Sequence, residues 1–294
     1  MKNPVIMHVN YGERGYDSYG SNTVADICKM AAELGFDGVE FRGNPPKEFK
    51  EMPFLDYAKQ IEAGMKEYGL SHILMGMLVG ECLSTETEAR QKSVETVVEK
   101  TKIANELFGT TIFNCFTSFV KCPVATKTAI GVEFNGSAAA TEEQWKLTVD
   151  LYQQLAKKLE PLGVKYAFET HMNYIHDLPE ATMKLVNLID SPVIGVNMDF
   201  GNTMYFPEHP TVEEAIDLYG DKLFYTHLKN STAVDGGRKA TALSDGDINH
   251  RAYLKKLKEV GYTGPIGIEA PRPGDRYWFA QQDLAYYKAV AEKI

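Results

Sequence analysis

The chain has 294 residues, of which 44% are hydrophobic and 24% are charged, and it carries a formal net charge of −9. That length fits one (β/α)8 barrel, so it does not require a second domain. The acidic balance argues against a nucleic-acid partner, because a phosphate binder relies on a positive surface. We expect a small substrate that is neutral or weakly anionic.

The sequence has no run of about 18 apolar residues, so no membrane-spanning helix is expected. The N-terminus, Met1-Lys2-Asn3-Pro4, passes directly into a strand-like segment and shows no signal-peptide core. Four cysteines lie at irregular spacings without a CxxC pair, which favours reduced thiols over a disulfide framework. These features predict a cytoplasmic protein without a membrane partner.

Strand and helix patterns alternate along the whole chain. The predicted strands are Val5–Val9, Asp37–Phe41, His72–Met77, Thr111–Cys115 and four more that end at Glu169, Asp199, Lys229 and Glu269. The predicted helices are, in order, 22–34, 54–68, 85–108, 141–162, 179–189, 211–219, 248–260 and 277–293. Eight successive β-α units predict an α/β fold, a (β/α)8 TIM barrel, with residues 1–294 forming a single domain.

The structural alternative is a doubly wound open sheet. That fold normally has a glycine-rich phosphate turn after its first strand. Here the corresponding residues, 10–15, read NYGERG, and no helix opens directly behind them. We therefore favour the barrel. The segment 116–140 lacks clear periodicity, and loops of this length in a compact domain are usually functional or mobile.

Four of the predicted strands carry a side chain that can bind a metal at or near their C-terminal end, namely Glu169, Asp199, His227 and Glu269. One such residue alone is more often a loop cap or an ion-pair partner. In a barrel, however, the C-terminal strand ends meet at one rim, so the four side chains converge. Three partly desolvated carboxylates repel one another unless a cation compensates their charge. The set therefore predicts a site for one divalent metal ion.

The ligand types indicate which metal this is. Carboxylates with one imidazole favour Mn²⁺, Mg²⁺ or Co²⁺, whereas a dedicated Zn²⁺ site more often uses thiolates or several histidines. Mn²⁺ is our first expectation, and Zn²⁺ stays an alternative.

Period-two alternation places His171 on the same strand face as Glu169, and Lys229 on the same face as His227. Both are candidates for substrate contact or proton transfer, although a surface histidine and a solvated lysine are the plain alternatives. Arg272, which follows strand eight, and Glu40, which ends strand two, are further candidates for substrate binding. An exposed loop arginine and a buried ion-pair partner are their respective alternatives.

The chain resembles the sugar phosphate isomerase/epimerase superfamily, the xylose isomerase-like TIM barrels that include endonuclease IV-type proteins. The segments that carry the resemblance are GFDGVE (35–40), FETH (168–171), NMDFGN (197–202), THLKN (226–230), LSDGDI (243–248) and GYTGPIGIE (261–269). The resemblance implies that Glu169, Asp199, His227 and Glu269 hold a single metal. It also implies that Glu169 and Glu269 act as the acid–base pair.

Members of this superfamily include ketose epimerases, hydroxypyruvate and inosose isomerases, inosose dehydratases and the metal subunit of C-glycoside deglycosidases. The endonuclease branch fits less well, because it has an additional histidine where this chain has Asn202. We expect Asn202 to contact the substrate instead. By the same resemblance, the protein is expected to be a homo-oligomer.

The sequence therefore predicts a metal-dependent isomerase or epimerase of a small carbohydrate that works through an enediolate. His171 is the alternative base, and the segment 116–140 is expected to close over the substrate. A lyase that uses the same enolate is the first alternative, and C-glycoside cleavage would imply a small second subunit. A non-catalytic sugar-binding barrel is the second alternative.

Overall fold

The fold comes from a computed structural model of the protein, which describes residues 2–12, 23–46, 50–122, 131–270 and 272–294. The strands β1 to β10 are, in order, Val5–His8, Gly38–Arg42, His72–Leu78, Ile112–Phe116, Lys165–Glu169, Ile194–Asp199, Leu223–Leu228, Asn230–Val234, Gly237–Thr241 and Ile266–Ile268. Within the described residues, eight of them close into a barrel in the order β1-β10-β7-β6-β5-β4-β3-β2. The predicted (β/α)8 barrel is therefore confirmed.

The helices α1 to α9 are, in order, Val24–Leu34, Phe54–Tyr68, Thr87–Phe108, Glu142–Leu159, Pro179–Ile189, Phe200–Thr203, Val212–Tyr219, His250–Glu259 and Arg276–Ala291. Thr141 and Gln144 form the expected capping box at the start of α4. The predicted start of the first helix at Asn22 lies outside the described residues, as do residues 123–130 of the long segment. In the part of the chain that the structure describes, no helix has both the length and the apolar character of a membrane span.

The short helix α6 and the strands β8 and β9 were not predicted. β8 and β9 form an antiparallel hairpin directly after β7, pairing Asn230 with Thr241 and Val234 with Gly237. Its turn contains Gly236 at φ 81° and Gly237 at φ 155°, a left-handed backbone that favours glycine. The hairpin therefore occupies the chain between barrel strand β7 and helix α8.

Contacts within the chain group it into two compact units. The first comprises Met1–Met75, Ile103–Thr110 and Tyr225–Ile294, and the second comprises Gly76–Lys102 and Thr111–Phe224. The single domain over 1–294 stays a prediction.

In the first unit, β1 pairs in parallel with both β2 and β10. The pairing of β1 with β2 places His8 beside Glu40, and the pairing of β10 with β7 places Gly267 beside His227. A Cβ at Gly267 would lie 2.3 Å from the Oη of Tyr225 and 2.7 Å from the Cδ2 of His227. The missing side chain at Gly267 therefore lets those two rings lie against β10.

In the second unit, β5 pairs in parallel with β4 and β6, and Glu169 lies beside Asn197. The loops that follow β4 and β5 meet at an isolated bridge between Phe119 and Tyr174, whose rings stack with centroids 4.5 Å apart. β6 is buried along its whole length and is mostly apolar, with Asn197 as the polar residue before the terminal Asp199.

Candidate metal centre and active site

His227 and Glu269 lie together in the first unit. His227 is the fifth residue of β7, and Glu269 directly follows β10, where its backbone N–H donates to the carbonyl of Leu228 at 2.9 Å. The Nδ1 of His227 lies 3.2 Å from the Oε2 of Glu269. The exposed fraction is 0% for His227 and 9% for Glu269, so water screens their interaction only weakly.

Glu269 is surrounded by positive and hydrogen-donating groups. The Nζ of Lys229 lies 3.2 Å from Oε2, and Asn10 donates from Nδ2 to Oε1 at 2.7 Å. Burial disfavours the charged carboxylate and so raises its pKa. The Lys229 ammonium, with smaller contributions from His8 and His227, lowers the pKa by more than burial raises it. These groups hold the pKa of Glu269 well below its ordinary value.

Glu40, which was predicted to bind substrate, lies against His227 and Tyr225. The Oε2 of Glu40 lies 2.7 Å from the Nε2 of His227 and also accepts a hydrogen bond from the Oη of Tyr225 at 2.8 Å. The carboxylate is almost completely buried, so its contacts with His227 and Tyr225 offset part of the cost of burying it. Its position therefore supports the buried-partner interpretation over substrate binding.

Glu169, in the second unit, ends β5 and is held by two amides. Asn114 donates to Oε2 at 2.6 Å, and Asn202 donates to Oε1 at 3.2 Å. The backbone carbonyl of Glu169 lies 2.6 Å from the Nδ1 of His176, a fully buried histidine. The side chain and the backbone of this carboxylate are thus both fixed by hydrogen bonds.

Asp199 ends β6 and caps the short helix α6. Its Oδ1 accepts a hydrogen bond from the backbone N–H of Asn202 at 3.1 Å. The side-chain amide of Asn202 donates to Glu169, as above, and to the carbonyl of Thr170 at 3.0 Å. Asn202 therefore supports two carboxylates, which accounts for its position without the predicted substrate contact.

The side chains of Glu169, Asp199, His227 and Glu269 form one cluster. All four are buried, and each offers one ligand atom such that these atoms lie within 4.8 Å of one another. Three carboxylates and one imidazole are a donor set that divalent ions with a preference for oxygen accept. A cation also offsets the cost of burying three neighbouring acids. The residues present therefore fit a divalent metal ion.

The other predicted site residues have different surroundings. The ring of His171, which is partly exposed, packs edge-on against Phe116 and Tyr174. Its Nδ1 lies 3.0 Å from the carbonyl of its neighbour Met172. These contacts hold the ring in place. They do not test whether His171 acts as a base, so that role stays a prediction.

Arg272 forms a buried ion pair with Asp283, in which NH1 donates to Oδ2 at 2.8 Å. NH1 also donates to the carbonyl of Ala270 at 3.0 Å, and the guanidinium stacks over Phe279. These contacts give Arg272 a structural role, and its predicted substrate binding stays a prediction. Arg276 is also buried, and its NH1 donates to the carbonyl of Asn10.

Sequence reasoning missed several residues around the ligands. They are His8, Asn10, Asn114, His176 and Tyr225. His8 and Asn10 lie at or just after the C-terminal end of β1, so the strand-end rule that selected Glu40 applies to them too. Tyr225 precedes His227 by two residues, so period-two alternation places both side chains on the same face of β7. His176 lies seven residues beyond Glu169 and has no periodic signal.

The protein-family model of the xylose isomerase-like TIM barrel matches residues 28–290 of this chain. The chain belongs to this family. Among curated proteins, it is similar to the inosose dehydratase of Clostridium perfringens, with 26% identity over 47% of this chain and 50% of that protein. The chain spans about half the length of the curated relatives it matches.

Solved structures cover more of the chain. D-Psicose 3-epimerase from Clostridium cellulolyticum, solved with D-tagatose, superposes with a TM-score of 0.74 at 17% identity over 98% of this chain and 99% of that one. A xylose isomerase-like TIM barrel protein from Mycobacterium smegmatis, in complex with magnesium, gives 0.72 at 18% identity over 99% and 97%. At these identities the likeness shows the fold alone.

Proposed function

We propose that this protein is a divalent-metal-dependent isomerase or epimerase of a small carbohydrate that acts through an enediolate. The observation that carries the proposal is the buried cluster of Glu169, Asp199, His227 and Glu269. The similarity to proteins named inosose dehydratase and D-psicose 3-epimerase supports a carbohydrate substrate.

The four clustered side chains would hold one metal ion, with Mn²⁺ preferred over Mg²⁺, Co²⁺ or Zn²⁺ for this ligand set. When bound, the ion supplies positive charge that stabilises negative charge developing on substrate oxygens. Lys229 adds a second positive charge beside Glu269, at 3.2 Å.

Glu169 and Glu269 form the proposed acid–base pair. Asn114 and Asn202 orient the first carboxylate, and Lys229 pairs with the second. One carboxylate removes the proton from the carbon next to the substrate carbonyl. The other returns a proton to the opposite face in an epimerase, or to the neighbouring carbon in an isomerase. His171 remains the alternative base.

A lyase on the same scaffold is the second candidate, favoured by the similarity to an inosose dehydratase. In a lyase, the electron pair of the same deprotonated carbon expels a β-substituent and no reprotonation follows. C-glycoside cleavage would imply a small second subunit, which would copurify. We also infer a homo-oligomer, for which light scattering after size-exclusion chromatography is the direct measurement.

The central experiment follows deuterium from solvent into a panel of ketoses, keto-polyols and 3-oxo-glycosides in the presence of Mn²⁺. Exchange without elimination supports the isomerase, whereas exchange with elimination supports the lyase. Glu169→Gln and Glu269→Gln should each lower kcat by about 100-fold or more, because each removes a proton-transfer group. Full turnover by either variant would contradict the assigned pair.

A matched control is Glu259→Gln. Glu259 is an exposed carboxylate on α8 that pairs with Lys255 across one helical turn. The same chemical change there should leave turnover unaltered. Metal content is measured in parallel, and the melting temperature should rise when Mn²⁺ binds the folded state. A purified protein with no metal and no Mn²⁺-dependent rise would favour the non-catalytic barrel.

A further inference from the structure

His227 lies between two carboxylates, one at each ring nitrogen. Its Nε2 is 2.7 Å from the Oε2 of Glu40, and its Nδ1 is 3.2 Å from the Oε2 of Glu269. His227 and Glu40 are at most 1% exposed. Only one of the two carboxylates belongs to the metal-binding cluster, so Glu40 has a different role.

The chemistry of the carboxylate decides which ring nitrogen carries the proton. An ionised carboxylate only accepts hydrogen bonds, so a neutral imidazole between two of them donates to one. The Nε2 contact with Glu40, at 2.7 Å, is shorter than the Nδ1 contact with Glu269, at 3.2 Å, so we assign the proton to Nε2. In the neutral imidazole, Nδ1 then keeps its lone pair and points toward Glu269. The nitrogen available to a metal is therefore Nδ1.

Tyr225 fixes the carboxylate of Glu40 in turn. Its Oη donates to the same Oε2 at 2.8 Å, and its ring packs edge-on against that of His227 with centroids 4.9 Å apart. A phenol hydroxyl is the donor in such a contact with a carboxylate oxygen, so this hydrogen bond holds Glu40 in place. Gly267 leaves the space that both rings occupy.

We propose that Glu40 and Tyr225 are positioning residues that hold His227 in the Nε2-protonated form and aim the lone pair of Nδ1 at the metal. The inference rests on the proposed metal-dependent function. Glu40 is 187 residues from His227 in sequence, yet its Oε2 lies 2.7 Å from the Nε2 of His227. An outer partner of this kind orients the ligand and raises its basicity.

The test measures Mn²⁺ affinity by calorimetry and needs no turnover. Glu40→Gln keeps an acceptor oxygen but removes the charge, and should weaken binding about 10-fold. Glu40→Ala removes both, and should weaken binding by up to about 100-fold. Tyr225→Phe keeps the ring and should give a loss smaller than that of Glu40→Ala. Nitrogen NMR of the metal-free protein at alkaline pH should show the proton on Nε2 of His227, and a tautomer mixture in Glu40→Ala.

Two control variants separate positioning from general damage to the core. Tyr253→Phe removes another fully buried hydroxyl, which lies 2.6 Å from the Oγ1 of Thr226. Asp283→Asn neutralises another buried acid of the same unit. Both should bind Mn²⁺ as the wild-type protein does.

The outcomes separate this inference from the proposed function. Wild-type protein that binds no Mn²⁺ overturns the proposed function, and the positioning role falls with it. If the wild-type protein binds Mn²⁺ but folded Glu40→Gln and Glu40→Ala bind within about twofold of it, only the positioning role is overturned. A proton on Nδ1 in the metal-free wild-type protein would also overturn it.

Discussion

Replacing Asp177 by asparagine tests how the segment after β4 is fixed. Asp177 is buried, and its Oδ2 accepts a hydrogen bond from the backbone N–H of Ser137 at 3.0 Å. Burial raises the pKa of Asp177 from 3.8 to about 6, although the hydrogen bonds from Ser137 lower it. Asparagine keeps an acceptor oxygen of similar shape but cannot ionise. The substitution therefore removes the titration while it preserves the contact.

The sign follows from the raised pKa of the folded state. Such an acid stabilises the folded chain fully below pH 3.8, the pKa of the unfolded state, and that stabilisation is lost as the pH rises through about 6. A shift of about 2 pKa units at 1.36 kcal/mol each corresponds to about 3 kcal/mol in total. Of this amount, about 2 kcal/mol is lost between pH 4.5 and 7.5.

The neighbouring His176 has the opposite dependence. Burial lowers its pKa to about 3, so the stability it contributes is present above pH 6.5 and is lost as the pH falls toward 3. The two dependences partly cancel in the wild-type protein. Comparing Asp177→Asn with the wild-type protein at each pH removes the contribution of His176, which is common to both.

The assay is urea unfolding, followed by circular dichroism from about pH 4.5 to 7.5. The unfolding free energy of Asp177→Asn, minus that of the wild-type protein, should rise by about 2 kcal/mol across this range. A difference that does not change with pH would refute the raised pKa. A difference that falls with pH would show that the charged form is the stabilised one.

Two further predictions concern the backbone and Arg272. Gly136→Ala should lower the unfolding free energy by about 2 kcal/mol or more, because its φ is 59° and a Cβ there would lie 2.0 Å from the Oδ2 of Asp177. Gly163→Ala is the control, since Gly163 has a similar φ of 65° but open space around it. It should lower the unfolding free energy by only about 1 kcal/mol in the same assay. Arg272→Met should lower the unfolding free energy by about 3 kcal/mol, because it leaves the buried carboxylate of Asp283 without its ion-pair partner. KM should stay unchanged. A raised KM without loss of stability would instead support substrate binding by Arg272.

The barrel could be predicted because its signals are local. A strand such as β5 is buried over its last four residues, Tyr166 to Glu169, and reads as a short, mostly apolar run that ends in a carboxylate. The start of α4 could be predicted for the same reason, since the capping box needs only Thr141 and Gln144. The group of Glu169, Asp199, His227 and Glu269, which could hold a metal ion, followed once the fold was assigned, because a barrel brings the C-terminal strand ends to one rim.

The hairpin of β8 and β9 was missed although it has a local signal. Asp235-Gly236-Gly237 is a turn sequence, and Asp-Gly between strand-forming residues indicates a hairpin. The expectation of one strand followed by one helix concealed it. Anchoring by Asn230, whose amide donates to the carbonyls of Leu243 and Ile248, depends on the folded structure.

The partners of the polar residues near the site could not be predicted. Glu40, Asn202 and Arg272 were all expected to contact substrate, which stays a prediction, and each makes contacts within the protein that were not expected. A buried charged or amide group is costly without a hydrogen-bonding partner, so a polar residue beside a metal centre commonly supports a ligand. Residue type and strand position do not identify that partner, which lies 187 residues away for Glu40.

Lys229 differs from these three residues in a way that bears on substrate recognition. Its side chain is 19% exposed, whereas the side chain of Arg272 is 9% exposed and that of Glu40 is 2% exposed. Its ammonium lies at a proposed proton-transfer residue, 3.2 Å from the Oε2 of Glu269, and it has three donors to offer. Of the four residues predicted to bind substrate, Lys229 therefore combines a charge next to the proposed chemistry with access from solvent.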